Sequence, residues 1–101
     1  MSLENTTDII NYGKTCIQDE LESLSVMSAY IDEAFAGVVQ LILNSKGRVV
    51  ITGIGKSAII AQKIVATMNS TGTPSIFMHA ADAIHGDLGI IQTNDIVIAI
   101  S

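Results

Sequence analysis

The chain has 101 residues, 49 % of them hydrophobic, with a net charge of −5 and a single cysteine. That length is one domain or a piece of one, and the composition excludes a disordered tail. The acidic balance argues against a general nucleic-acid surface. No uninterrupted run of about 18 apolar residues marks a membrane span, and Glu4 and Asp8 stand where a secretory signal would carry basic residues. Cys16 has no partner for an internal disulfide, which fits a reducing, cytoplasmic setting.

The charge is unevenly placed. Residues 1–45 hold seven acids against Lys14, whereas residues 46–101 hold Lys46, Arg48, Lys56 and Lys63 against Asp82, Asp87 and Asp95. The first part is expected to be a solvated helical surface. The second is where an anion would be tolerated.

In chain order, residues 6–25 read as a helix, with Thr6 or Thr7 as its cap and an apolar stripe of Ile10, Ile17, Leu21 and Leu24. A break near Ser25 to Ser28 leads to a second helix over about 29–45. It carries Ile31, Ala34, Phe35, Val38 and Ile42 on one face, with Asp32 and Glu33 in its first turn. Val49 to Thr52 is a β-branched run bounded by Gly47 and Gly53, the mark of a buried strand. Gly53 and Gly55 then predict a tight turn. Lys56 and Ser57 open a helix whose apolar face includes Ile60, Ala61, Ile64, Val65 and Met68, and which Gly72 stops just before Pro74. Ser75 to Met78 predicts a second strand, Ala80 to about Leu88 a short helix, and Ile96 to Ile100 a third strand of the buried parallel kind. With right-handed crossovers this order predicts a three-layer, doubly wound α/β fold with a parallel sheet and two leading helices. A strand end followed by a ligand loop is usual in such folds. The chain, stopping at Ser101, is therefore expected to be an incomplete domain.

A strand that runs through a glycine turn into a helix aims unpaired N–H groups and a positive dipole end at one spot, which suits a phosphate. Two nucleotide motifs compete here. The Walker pattern needs a glycine five residues before Gly55 and meets Val50 instead. Gly53-Ile54-Gly55-Lys56-Ser57-Ala58 fits the looser dinucleotide pattern, but Met78-His79 stands where the ribose-binding acid belongs. Lys56 is more informative, because a cation at a helix N-terminus is mildly disfavoured unless it faces an anion. Ser57 either donates its hydroxyl to a phosphate oxygen or caps the helix. His79, Asp82, His85 and Asp87 form a second polar cluster. A metal site there lacks an evident fourth ligand, and either histidine is equally read as a buried, satisfied ring. His85 follows the second strand, on the edge where ligands gather.

At these residues the chain resembles a sugar isomerase (SIS) domain, and within it the arabinose-5-phosphate isomerase family of the KpsF/GutQ group. The resemblance is carried by GRVVITGIGKS, by STGTPS, and by HAADAIHGDLGII followed by NDIVIAIS, over residues 47–101. Ala58 and Ile59 stand where relatives commonly have Gly-His, and Ala80 and Asp82 where they often have Pro and Glu. The resemblance implies a flavodoxin-like sheet and interconversion of arabinose 5-phosphate and ribulose 5-phosphate through an enediol, without metal or organic cofactor. It further implies a homo-oligomer, a dimer or tetramer, with no nucleic-acid or membrane partner. Carried over, Lys56 and His85 are the catalytic candidates. Gly53, Gly55, Ser57 and Ser101 are the phosphate-binding ones, Ser101 opening a second phosphate loop. Two other outcomes fit the same resemblance: a phosphosugar sensor without catalysis, or an isomerase of another sugar phosphate.

Overall fold

A computed structural model describes residues 4–84 and 87–101. They form two compact units, 1–39 and 40–101.

The first unit is led by helix α1 (Thr6–Met27). Its cap is Asn5, not Thr6 or Thr7: the Asn5 side chain accepts from the Asp8 backbone N–H at 2.8 Å. Asn5 is the better cap because its amide oxygen reaches the third N–H while the residue itself stays extended, at φ −120°. The helix runs two residues further than expected and passes into a single 3₁₀ turn, Ser28–Tyr30. Ile10, Ile17, Leu21 and Leu24 are each more than half exposed, so the stripe is not covered. Helix α2 (Glu33–Asn44) starts later than the pattern suggested. Asp32 lies outside it, accepting from the Phe35 N–H at 3.1 Å, and so acts as a cap rather than a first-turn residue.

The second unit holds the sheet. Strands β1 (Val49–Gly53), β2 (Ser75–His79) and β3 (Ile96–Ala99) are parallel in the order β2-β1-β3. Val49 pairs with Ser75 and Ile96, and Ile51 with Phe77 and Ile98, which puts these side chains on one face. Helix α3 (Lys56–Ser70) covers that face with Ala61, Ile64, Val65 and Met68, joined by Ile42 and Ile100. Val49, Val50 and Ile51 are at most 2 % exposed, as a central strand of a two-faced sheet requires. Helix α4 (Ala80–Ile84) and a 3₁₀ turn (Asp87–Ile90) lie in the segment between β2 and β3.

The α3–β2 corner accounts for the STGTPS string. Gly72 has φ +98°, and the N–H of Thr73 reaches back to the Met68 carbonyl at 2.8 Å, closing the helix end as a Schellman motif. The Asn69 amide then takes both backbone groups of Ser75, accepting its N–H at 2.7 Å and donating to its carbonyl at 2.9 Å. Asn69 thus stands in for a strand neighbour at the start of β2, leaving those two groups satisfied.

At the amino edge of the sheet Arg48 clasps Asp95. The guanidinium donates to Asp95 Oδ2 at 2.8 Å and to the Ile90 carbonyl at 2.7 Å, while the backbone N–H groups of Arg48 and Gln92 donate to the same carboxylate at 2.9 and 2.7 Å. The Asp95 side chain is 1 % exposed. The Arg48 side-chain hydrogen bond, then the Gln92 and Arg48 backbone N–H groups, hold this carboxyl far below the ordinary carboxylate range. A depressed folded-state value means the stabilisation is complete above the unfolded carboxylate value of about 3.9 and is lost as pH falls through and below it. Asp95→Asn is therefore expected to lower the urea midpoint at neutral pH and to flatten its decline between roughly pH 4 and 2. A variant with the wild-type acid profile would show that this clasp does not couple to folding.

Candidate functional site

The carboxyl edge of the sheet is where β1 turns into α3. Gly55 occupies φ +61°, ψ −129°, a conformation essentially restricted to glycine, and forms the N-cap of α3 without any side-chain cap. Gly53 is needed for a different reason. A Cβ on it would lie 3.0 Å from the Ser57 carbonyl carbon and 3.1 Å from the Ala58 nitrogen, both backbone atoms. The first turn of α3 thus rests directly on the end of β1.

Lys56 and Ser57 are the first two residues of α3. The Ala58 N–H is bonded to the Gly55 carbonyl at 3.1 Å, whereas the N–H groups of Lys56 and Ser57 have no acceptor among the described residues. Because Gly55 is the cap, the capping alternative for Ser57 falls away. Its half-buried hydroxyl makes no hydrogen bond among the described residues. Lys56 is exposed and makes no ion pair among them. The helix start therefore offers two backbone donors, a hydroxyl and an ammonium, a set suited to a phosphate or a developing oxyanion.

Two neighbouring strands bring further groups to this edge. The ladder continues one residue past β3, with the Ile100 N–H donating to the Thr52 carbonyl at 2.9 Å, so Ile100 comes level with Gly53 and Ser101 emerges one position beyond it, exposed. On the other side His79, the last residue of β2, pairs in register with Gly53. His85 lies outside the described residues. Of the expected site residues, Gly53, Gly55, Lys56, Ser57 and Ser101 share one edge. His79 was legible in the sequence only as a member of the polar cluster with Asp82, His85 and Asp87, read as a metal candidate or as a buried, satisfied ring. Its register with the glycine turn depends on strand order, which no local pattern reveals.

Two cavities open elsewhere, at the amino edge. One of about 410 Å³ is lined by Leu41, Asn44, Ser45, Lys46, Asn94 and Ile96, and one of about 220 Å³ lies beside Gly47, Thr73 and Pro74. Neither touches the glycine turn. Ligands of open parallel sheets gather at the carboxyl ends of strands, which is the edge where these donors stand.

The SIS domain family matches residues 41–101, the span of the second unit. Arabinose 5-phosphate isomerase KdsD of Pseudomonas aeruginosa is 42 % identical over 101 residues, covering all of this chain and 31 % of that protein. Arabinose 5-phosphate isomerase KdsD of Yersinia pestis is 46 % identical over 99 residues, covering 98 % of this chain and 30 % of that protein. A solved structure of an Escherichia coli CFT073 protein in complex with arabinose 5-phosphate superposes with a TM-score of 0.87 at 42 % identity, covering 96 % of this chain and 52 % of that one. The chain thus spans about three-tenths of the length of these curated relatives and half of the solved chain.

Proposed function

The chain belongs to the SIS domain family, and on that premise we propose that it supplies part of the active site of a sugar-phosphate aldose–ketose isomerase acting on arabinose 5-phosphate. The observation that carries this reading is the convergence at one sheet edge of the glycine turn, the two N–H groups of α3 that have no acceptor among the described residues, Lys56 and Ser57. The solved relative in complex with arabinose 5-phosphate supports the pentose phosphate as ligand.

In such a reaction a base removes the proton on C2 of the open-chain aldose, an enediolate forms, and a proton is delivered to C1 to give ribulose 5-phosphate. The α3 N-terminus and the Ser57 hydroxyl hold phosphate oxygens, with Ser101 adding a hydroxyl from the neighbouring strand. Lys56 opposes the enediolate or phosphate charge. His85 moves the proton near neutral pH. The uncovered stripe of α1 is the packing surface of a homo-oligomer. The exposed Cys16 thiol suits the cytoplasm. Among the described residues no single helix is long and apolar enough to cross a membrane.

A thermal-shift panel on the intact protein tests the reading, using arabinose 5-phosphate, glucosamine 6-phosphate and NAD. A ligand at about 100-fold over its dissociation constant adds about 2.7 kcal/mol, which raises the midpoint visibly. The pentose phosphate is expected to raise it and NAD to leave it unchanged. A response to the amino sugar alone would move the substrate, and one to NAD alone would overturn the assignment of the glycine turn.

A further inference from the structure

His79 closes β2 and does two things that a strand-end residue need not do. Its Nδ1 accepts the backbone N–H of Ala81 at 3.1 Å, and its ring meets the edge of Phe77 at 83°, with centroids 6.2 Å apart. The first contact fixes the tautomer: a backbone N–H can only donate, so Nδ1 of the neutral ring is bare and the proton sits on Nε2. The second contact, with the ring half-buried, limits its rotation. That Nε2–H makes no hydrogen bond among the described residues.

The register says where this donor stands. Ile51 and Phe77 are paired, and both lie on the face covered by α3. Two residues on, Gly53 and His79 are paired and repeat that face. The first turn of α3 rests on Gly53, so His79 occupies the next strand position, about 4.8 Å away, beside the same helix start. A ring fixed on two sides, with a remaining donor that has no partner among the described residues, is more than a cap for the short helix α4.

We propose that His79 is a ligand-binding residue, donating its Nε2–H to an oxygen of the phosphosugar held at the N-terminus of α3. The inference rests on the proposed function. Two substitutions separate the two ring nitrogens. His79→Asn keeps an acceptor near the Nδ1 position and removes the distal donor, whereas His79→Gln places an amide N–H near the Nε2 position and gives up the cap.

Calorimetric titration of the intact protein with arabinose 5-phosphate, inorganic phosphate and arabinose reads the outcome, together with the ligand-free thermal midpoint. His79→Asn keeps the bond to the Ala81 N–H and is expected to lower the midpoint less than His79→Gln does, while weakening arabinose 5-phosphate binding about tenfold, the equivalent of one hydrogen bond. His79→Gln is expected to lower the midpoint yet bind within about threefold of wild type. A parallel loss toward inorganic phosphate would place the donor on the phosphate. A loss confined to the sugar phosphate would place it on a sugar oxygen. If His79→Asn binds as wild type does, the ring is only a cap and the inference fails while the proposed function stands. If the wild type binds none of the three, the proposed function fails and takes the inference with it.

Discussion

Replacing Lys56 by alanine is expected to lower turnover of arabinose 5-phosphate by about 10²-fold or more, with little change in folding stability. The two halves of that expectation have separate origins. Lys56 is exposed at the first position of α3 and makes no ion pair among the described residues, so no packing or pairing is lost with it. A cation at that end opposes the helix dipole, and its removal is worth roughly 0.3–1 kcal/mol in favour of the folded state, if anything. The chemistry points the other way. An ammonium fixed beside a developing oxyanion typically contributes two to three orders of magnitude, about 2.7–4 kcal/mol, because the charge it meets is larger in the transition state than in the substrate. Steady-state turnover of the intact protein, with a ligand-free thermal melt alongside, separates the two. A rate within about twofold of wild type would remove Lys56 from the catalytic machinery. A raised KM with unchanged kcat would move it to phosphate binding.

Gly47→Ala should produce the largest loss of stability. Gly47 lies between α2 and β1, against the Asn94 carbonyl just ahead of β3. A methyl group there would overlap that carbonyl and lie 2.7 Å from the Asp95 nitrogen. These are backbone atoms with no rotamer to escape into. They are also pinned: Ser45 Oγ donates to the Asn94 carbonyl at 3.1 Å and accepts the Gly47 N–H at 3.1 Å, and Asp95 is held by Arg48. Relief requires β1 and β3 to separate at their first rung, where Ile96 N–H donates to the Arg48 carbonyl at 2.9 Å. Overpacking in well-ordered cores costs about 1–3 kcal/mol, and a backbone clash should reach the upper end or beyond. Urea denaturation followed by circular dichroism measures it. Gly72→Ala is the internal control: a Cβ there meets nothing within 4 Å, so only its backbone conformation is strained. Equal losses in the two variants would mean that the approach of Gly47 to Asn94 is not what the glycine serves.

Much of this protein was determined by the sequence itself. Val49, Val50 and Ile51 became the buried length of the central strand because three consecutive apolar, β-branched residues leave neither face suited to solvent. Gly55 and Gly72 set the two ends of α3 through conformations other residues avoid, so the glycine turn, Lys56 and Ser57 were found where local chemistry put them. Helix starts were less legible. Asn5 and Asp32 took the caps because a side-chain oxygen must reach an N–H two or three residues on, a matter of backbone angle rather than residue type.

What only the tertiary structure decided are the relations across strands. The strand order β2-β1-β3 sets Gly53 between His79 and the approach to Ser101. It also brings Arg48 to Asp95 across 47 residues, and Asn94 onto Gly47. None of these pairs is marked by spacing, because register is a property of two segments together, fixed by the packing of their shared face against α3 and not by either sequence alone.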